Sequence, residues 1–245
     1  MFTDHRGGHN RKDIKKDFFK SWSPKMAYLL GLLFSDGTVE NTQKSSRTCY
    51  FTFTSKDLEL INQIKILLSS SHKVYSRKPL WKKIKDKEYF CHETFCLRIG
   101  SKDMYQDLVK LGLKPRKSLT LKFPIIPNNL LNFFLRGYFD GDGCIYVNKN
   151  NNKELKVIFT CGSKKFLNKL STKLQERINT SPKSISKGSD AYRLSFRKFD
   201  SIKILNFIYG DLYKAPFLKR KFQTYRTYLL SNLPLLSPPT QVSKT

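Results

Sequence analysis

The stretch LLGLLFSDG, residues 29–37, returns as LRGYFDGDG, residues 135–143. Both read L-x-G-x-x-x-x-D-G, and their last acids, Asp36 and Asp142, lie 142 − 36 = 106 residues apart. Each closes an apolar run of helical period and leads into strand-like alternation. Ser23 and Pro24 open the first helix as N-cap and first helical residue, and Gly37 stops it after Asp36. The second follows Pro127 and runs from Asn128 to Asp142. Each helix therefore ends on a carboxylate at its own negative pole, where the dipole repels it.

Gly31 and Ser35, and likewise Gly137 and Gly141, place small residues at i and i+4. Such stripes let two helix backbones approach closely. Helices paired along them bring their C-terminal ends together and set Asp36 beside Asp142. Two acids at two negative poles are costly unless divalent cations bind there and invert the local electrostatics. Carboxylates, carbonyls, waters and phosphate oxygens are hard ligands suited to Mg²⁺. Such a centre activates water and stabilises a leaving oxygen in phosphodiester hydrolysis. A single Asp-Gly is more simply a turn, but two copies at equivalent places in a repeat favour the metal reading. An EF-hand reading of DGDGCIYVNKNN fails, because Ile145 stands where glycine is required and Asn151 where glutamate is.

The repeat extends well beyond the motif. Each half reads helix, two strands, helix, two strands, helix, and Ser-Lys recurs at 55–56 and 163–164 after a Phe-Thr strand. Internal duplication with pseudo-two-fold symmetry follows, a symmetry that suits duplex DNA. The expected organisation is a basic extension over 1–22, a first half over 23–113, a linker over 114–127 and a second half over 128–231. Composition points to a disordered tail over 232–245. The fold class is α+β, with each half αββαββα.

The 245 residues carry 46 Lys plus Arg against 19 Asp plus Glu, a net charge of +27. That field favours a long polyanion and salt-dependent binding. No apolar run approaches the roughly 18 residues that span a bilayer, and the N-terminus lacks a secretory signal. Five scattered cysteines indicate a reducing intracellular compartment, organellar or bacterial, over a disulfide framework. Cys91, His92 and Cys96, with His72 upstream, fit no zinc spacing and read as alternating strand residues.

LLGLLFSDG, LRGYFDGDG, the strand patterns after each, and the basic segments PRKS and LKRK resemble the LAGLIDADG homing endonucleases in their single-chain, two-motif form. The resemblance spans residues 23–230. It implies central paired motif helices beneath an antiparallel saddle that lies over the DNA major groove. It implies a site-specific endonuclease, a monomer, that cuts both strands of a long double-stranded target and leaves short 3′ overhangs. Asp36 and Asp142 then coordinate divalent metal, with the backbone carbonyls of Ser35 and Gly141 offered to the same cluster. The expected ion is Mg²⁺, with Mn²⁺ able to substitute and Ca²⁺ binding without supporting cleavage. Phe34 replaces the first acid of the motif, where Asp140 remains, but that position is not the catalytic one. The family carries a basic residue near each scissile phosphate. Lys117 and Lys221 match best, with Arg116, Lys219 and Arg220 as rivals.

Strand parity then separates faces. Val39, Phe51, Phe53, Leu97, Ile145, Val147, Val157, Phe159, Leu194 and Phe196 point inward. Outward, toward DNA, point Glu40, Tyr50, Thr52, Thr54 and Arg98 in the first half. In the second they are Tyr146, Asn148, Lys156, Thr160, Arg193, Ser195 and Arg197. The same scaffold also serves non-cleaving DNA-binding proteins and maturases, which admits host intron RNA as a further partner. Retention of both acids favours the nuclease.

Overall fold

A computed structural model describes residues 12–42, 48–84, 87–148 and 154–236. In the first half, α1 (Pro24–Phe34) leads into β1 (Thr38–Asn41) and β2 (Cys49–Ser55), then α2 (Leu58–Leu67). After it come β3 (Val74–Arg77), β4 (Leu80–Ile84), β5 (Lys87–Cys91), β6 (Thr94–Gly100) and α3 (Lys102–Lys110). The second half repeats the plan with α4 (Leu131–Asp142), β7 (Gly143–Val147), β8 (Leu155–Cys161), α5 (Lys164–Ile178), β9 (Ile185–Lys187), β10 (Tyr192–Arg197) and α6 (Lys198–Tyr209). A last helix, α7 (Lys219–Leu236), follows.

Each half builds one four-stranded antiparallel sheet, in the order β1-β2-β6-β3 and β7-β8-β10-β9. The two orders are the same once the repeat is allowed for, so the α+β duplication stands. The local reasons are visible in the caps. Ser23, Ser101 and Ser163 each accept from the backbone N–H three residues on, at 3.2, 3.3 and 3.4 Å. These bonds satisfy donors that the first helical turn leaves free.

Inward strand residues follow the predicted parity. Val39, Phe51, Phe53, Leu97, Val157, Phe159, Leu194 and Phe196 are buried, while Ile145 and Val147 are partly buried against the same core. That core is continuous across both halves, because α1 and α4 lie at its centre. Among the described residues no helix is long and apolar enough to cross a membrane.

Several boundaries differ from expectation. The first motif helix ends at Phe34, with Ser35 as its C-cap, so Asp36 lies just outside it. The N-terminal segment is more than a basic extension: Phe18 and Phe19 are buried, and Phe19 meets the ring of Phe51 at 6.0 Å. Lys15 N–H donates to Leu68 O at 2.8 Å, so the segment is strapped to the first half. The tail expected from 232 is helical to Leu236, because α7 anchors its inner face through Tyr225, Tyr228 and Asn232. The rest of that tail, and residues 1–11, lie outside the described residues. Between β3 and β6 the first half carries a separate hairpin, β4–β5.

Candidate metal centre and nucleic-acid interface

The glycines set how close the motif helices come. A Cβ on Gly31 would stand 2.1 Å from Phe134 O, and one on Gly137 would stand 2.0 Å from Tyr28 O. Backbone therefore lies on backbone at the crossing. One turn further on, a Cβ on Gly141 would meet Ser35 Oγ at 2.0 Å. The i, i+4 stripe thus positions the two helix ends against each other.

There the last acids come together: Asp36 Oδ2 would lie 3.3 Å from a Cβ on Gly141, and the Asp142 carboxyl is pushed up to about 7. Burial is the chief cause, followed by the like charge of Asp36, while Lys117 and Lys221 pull the other way. Asp36 is exposed and Asp142 half-buried, so the pair opens to solvent on one side.

Lys117 and Lys221 are the basic residues that the structure aims at the motif ends. Lys117 Nζ donates to Ser35 O at 3.1 Å and Gly37 O at 2.6 Å. Lys221 Nζ donates to Gly141 O at 3.3 Å and Gly143 O at 2.5 Å, and also to Phe139 O and Asp140 O. Residues 35 and 141, and 37 and 143, are equivalents in the repeat. Each ammonium thus caps the carbonyls that a helix C-terminus leaves unsatisfied and opposes its dipole. Burial pushes both amines down, Lys221 to about 8. The rivals go elsewhere: Arg220 bonds Asp57 and Lys219 bonds Glu59, both on the first half, while Arg116 is exposed.

Asp140 turns away from this centre. Buried, it accepts from Tyr28 OH at 2.8 Å, Tyr209 OH at 3.2 Å and Leu218 N–H at 2.8 Å. Burial raises its carboxyl to about 6 against the pull of Lys221 and those bonds. Beside it Arg136, fully buried, donates to the carbonyls of Ile208, Ala215, Pro216 and Asp211. Sequence reading missed Arg136; a charged residue inside the run FFLRGYF, residues 133–139, was the available signal.

The outward sheet faces hold the remaining predicted residues in register. Thr38, Thr52 and Arg98 align across the first sheet, as do Tyr146, Lys156 and Arg197 across the second. Arg98 donates to Glu40 at 2.7 Å and stacks over Tyr50 at 3.7 Å. Lys156 lies 5.3 Å over the Tyr146 ring and pairs with Glu154 at 2.5 Å. Arg193, Ser195 and Arg197 are exposed, while Thr54, Asn148 and Thr160 are half-buried. Thr52 departs from expectation. It is 7% exposed, a short side chain on a central strand, flanked in register by Thr38 and the long Arg98.

Among the described residues no group of three or more His, Cys, Asp or Glu gathers that could hold a metal ion. The donors at the motif ends are instead two carboxylates and backbone carbonyls.

A family model described as "LAGLIDADG-like domain" matches residues 23–109 and 129–208, one stretch in each half. No curated protein sequence matches the chain. Among solved structures, the homing endonuclease I-WcaI bound to its DNA recognition sequence is similar, at 18% identity and a TM-score of 0.57. That match covers 89% of this chain and 95% of the other. The meganuclease I-AabMI, bound to uncleaved DNA, matches at 15% identity and 0.52, over 87% of this chain and 91% of that one. Mesophilic variants of the homing endonuclease I-DmoI match at 18% and 0.51, over 82% and 96%. Likeness at this identity speaks for the fold, and the family match on both halves carries the assignment: the chain belongs to the LAGLIDADG homing endonuclease family, in its single-chain, two-motif form.

Proposed function

We propose that the chain is a monomeric, site-specific double-strand DNA endonuclease. It hydrolyses one phosphodiester on each strand of a long target and leaves short 3′ overhangs. The observation that carries this reading is the carboxyl pair Asp36–Asp142 at glycine-crossed helix ends, beside two sheets with basic outward faces.

The residues present fit a hard divalent cation. Every donor is oxygen, and burial together with the like charge of Asp36 raises the Asp142 carboxyl to about 7, as expected where two acids are crowded together. Asp36, Asp142 and the carbonyls of Ser35 and Gly141 would hold Mg²⁺, with Mn²⁺ as substitute and Ca²⁺ as a binding-only ion. When bound, the ion supplies an acidified water for attack and screens charge on the scissile phosphate. The protein's own part is positional. Asp142 must give up its proton before the pair serves as ligand, so metal binding releases a proton and cleavage at limiting Mg²⁺ should rise with pH. Lys117 and Lys221 fix the carbonyls and set two positive charges behind the acids, where they oppose charge developing on phosphate. The outward faces track the duplex: Arg98, held by Glu40 and Tyr50, is preorganised for base edges, and the exposed Arg193 and Arg197 supply charge for phosphates. All five cysteines are free, which suits a reducing compartment.

The test is selection on a randomised duplex library in Mg²⁺, with Ca²⁺ as the binding-only control. A single long target recovered cut in Mg²⁺ and bound intact in Ca²⁺ supports the reading. Recovery of no cut sequence, or cutting without sequence preference, contradicts it.

A further inference from the structure

The two halves differ in one outward-facing element. In the second half, β9 and β10 are joined by the tight turn 188–191, closed by Gly188 N–H to Ala191 O at 2.8 Å. In the first half the equivalent connection, residues 78–93, carries the separate hairpin β4–β5. Trp81 is 66% exposed, Tyr89 50% and Phe90 46%. Trp81 and Phe90 pair across the strands with ring centroids 5.2 Å apart, and His92 meets Phe90 at 5.1 Å. An isolated two-stranded hairpin is marginal in water, and exposed aromatics such as Trp81, Tyr89 and Phe90 call for an occupant.

Register locates this hairpin. β1 starts two residues after Asp36 and pairs Thr38 with Thr52. From that row, β2 runs on to Ser55, opposite Phe95, and β3 ends at Arg77, opposite Thr94. The hairpin therefore springs from the end of the sheet where the motif acids lie, and not from the far end, where Asn41 pairs with Cys49. Ser76 Oγ bonds Glu93 at its root. Its described cations, Lys82, Lys83 and Lys87, face one described acid, Glu88, in register with Lys83.

We infer that β4–β5 is a DNA-contacting arm that binds the target duplex beside the cleavage centre, on the first-half side only. The inference rests on the proposed endonuclease function. Lysines spaced along both strands suit phosphates, and the tilted Trp81–Phe90 pair, its rings at 57° to each other, offers exposed apolar ring surface to sugar or base. Because the second half has a four-residue turn there, the contact makes an otherwise pseudo-symmetric complex lopsided at its middle.

The test compares wild type with two variants on the selected target in Ca²⁺: Trp81→Ala/Phe90→Ala, and replacement of 78–93 by the sequence of 188–191. Melting curves confirm that each variant is folded, the point variant guarding against a failed loop graft. Hydroxyl-radical footprints should lose protection next to the centre on one side alone, with affinity falling roughly tenfold. Footprints and affinities equal to wild type in the folded variants overturn the arm, as does loss confined to the outer end of the half-site. No footprint from the wild-type protein strikes the endonuclease reading itself, and the arm falls with it.

Discussion

At the scale of single residues, the second motif separates two aspartates that look alike in sequence. Asp142 meets Asp36 at the open junction, whereas Asp140 is sealed among Tyr28, Tyr209 and the Leu218 amide. Asp36→Asn or Asp142→Asn should lower cleavage by roughly a thousandfold or more, since each removes a ligand for the charge-stabilising ion. DNA binding in Ca²⁺ should change little. Asp140→Asn should do the reverse. Its amide cannot accept from all three partners, so thermal or denaturant unfolding should show a loss of about 1–3 kcal/mol, while the folded fraction still cuts. A stable but inactive Asp140→Asn protein would contradict this division. The glycine-aspartate pattern made Asp36 and Asp142 legible, because the helix pairing that joins them is written in small residues. Lys117 and Lys221 were legible only through the family resemblance. Nothing local distinguishes them from Arg116, Lys219 or Arg220, and the choice is made by which amine reaches a helix C-terminus.

At the scale of elements, the crossing of α1 and α4 depends on absent side chains. Gly31→Ala or Gly137→Ala would put a methyl about 2 Å from a backbone carbonyl of the partner helix. The helices would have to part, costing about 1–3 kcal/mol by analogy with overpacked cores and spreading Asp36 from Asp142. Denaturation midpoints and cleavage should fall together in these variants; a shift in cleavage alone would argue against the packing role. The strands were legible because period-two alternation survives almost intact in both sheets. Thr52 escaped that logic, since parity gives a side chain's direction and not the height of its neighbours. The hairpin β4–β5 and helix α7 also escaped it. LWKKIKDKEYF lacks a clean apolar face, in keeping with the exposure of its described side chains, and α7 buries Lys221 where an apolar residue would have marked its period. Phe18 and Phe19 were hidden in the same way, as a short apolar pair inside a charged segment.

At the scale of the whole molecule, charge dominates. With +27 spread over both halves, binding should weaken steeply with salt, by about 0.9 in the log–log slope for each phosphate neutralised. Folding should carry its own pH dependence. Asp142 at about 7 and Asp140 at about 6 hold protons that the unfolded chain has already released above its ordinary carboxyl range. Their contribution is complete below about 4 and is lost as pH rises through 6 and 7. Melting curves without divalent cation should therefore shift in favour of Asp142→Asn over wild type between pH 5 and 8, and Mg²⁺ should restore wild type more at pH 8 than at pH 5. The central claim is that the junction of two helix ends, and no other acidic group, makes the cut. Its most direct measurement is cleavage of the selected target by wild type, Asp36→Asn and Asp142→Asn in Mg²⁺, with binding of all three checked in Ca²⁺. The expected result is three comparable binding curves and cleavage by wild type alone; undiminished cleavage by either variant would contradict the account.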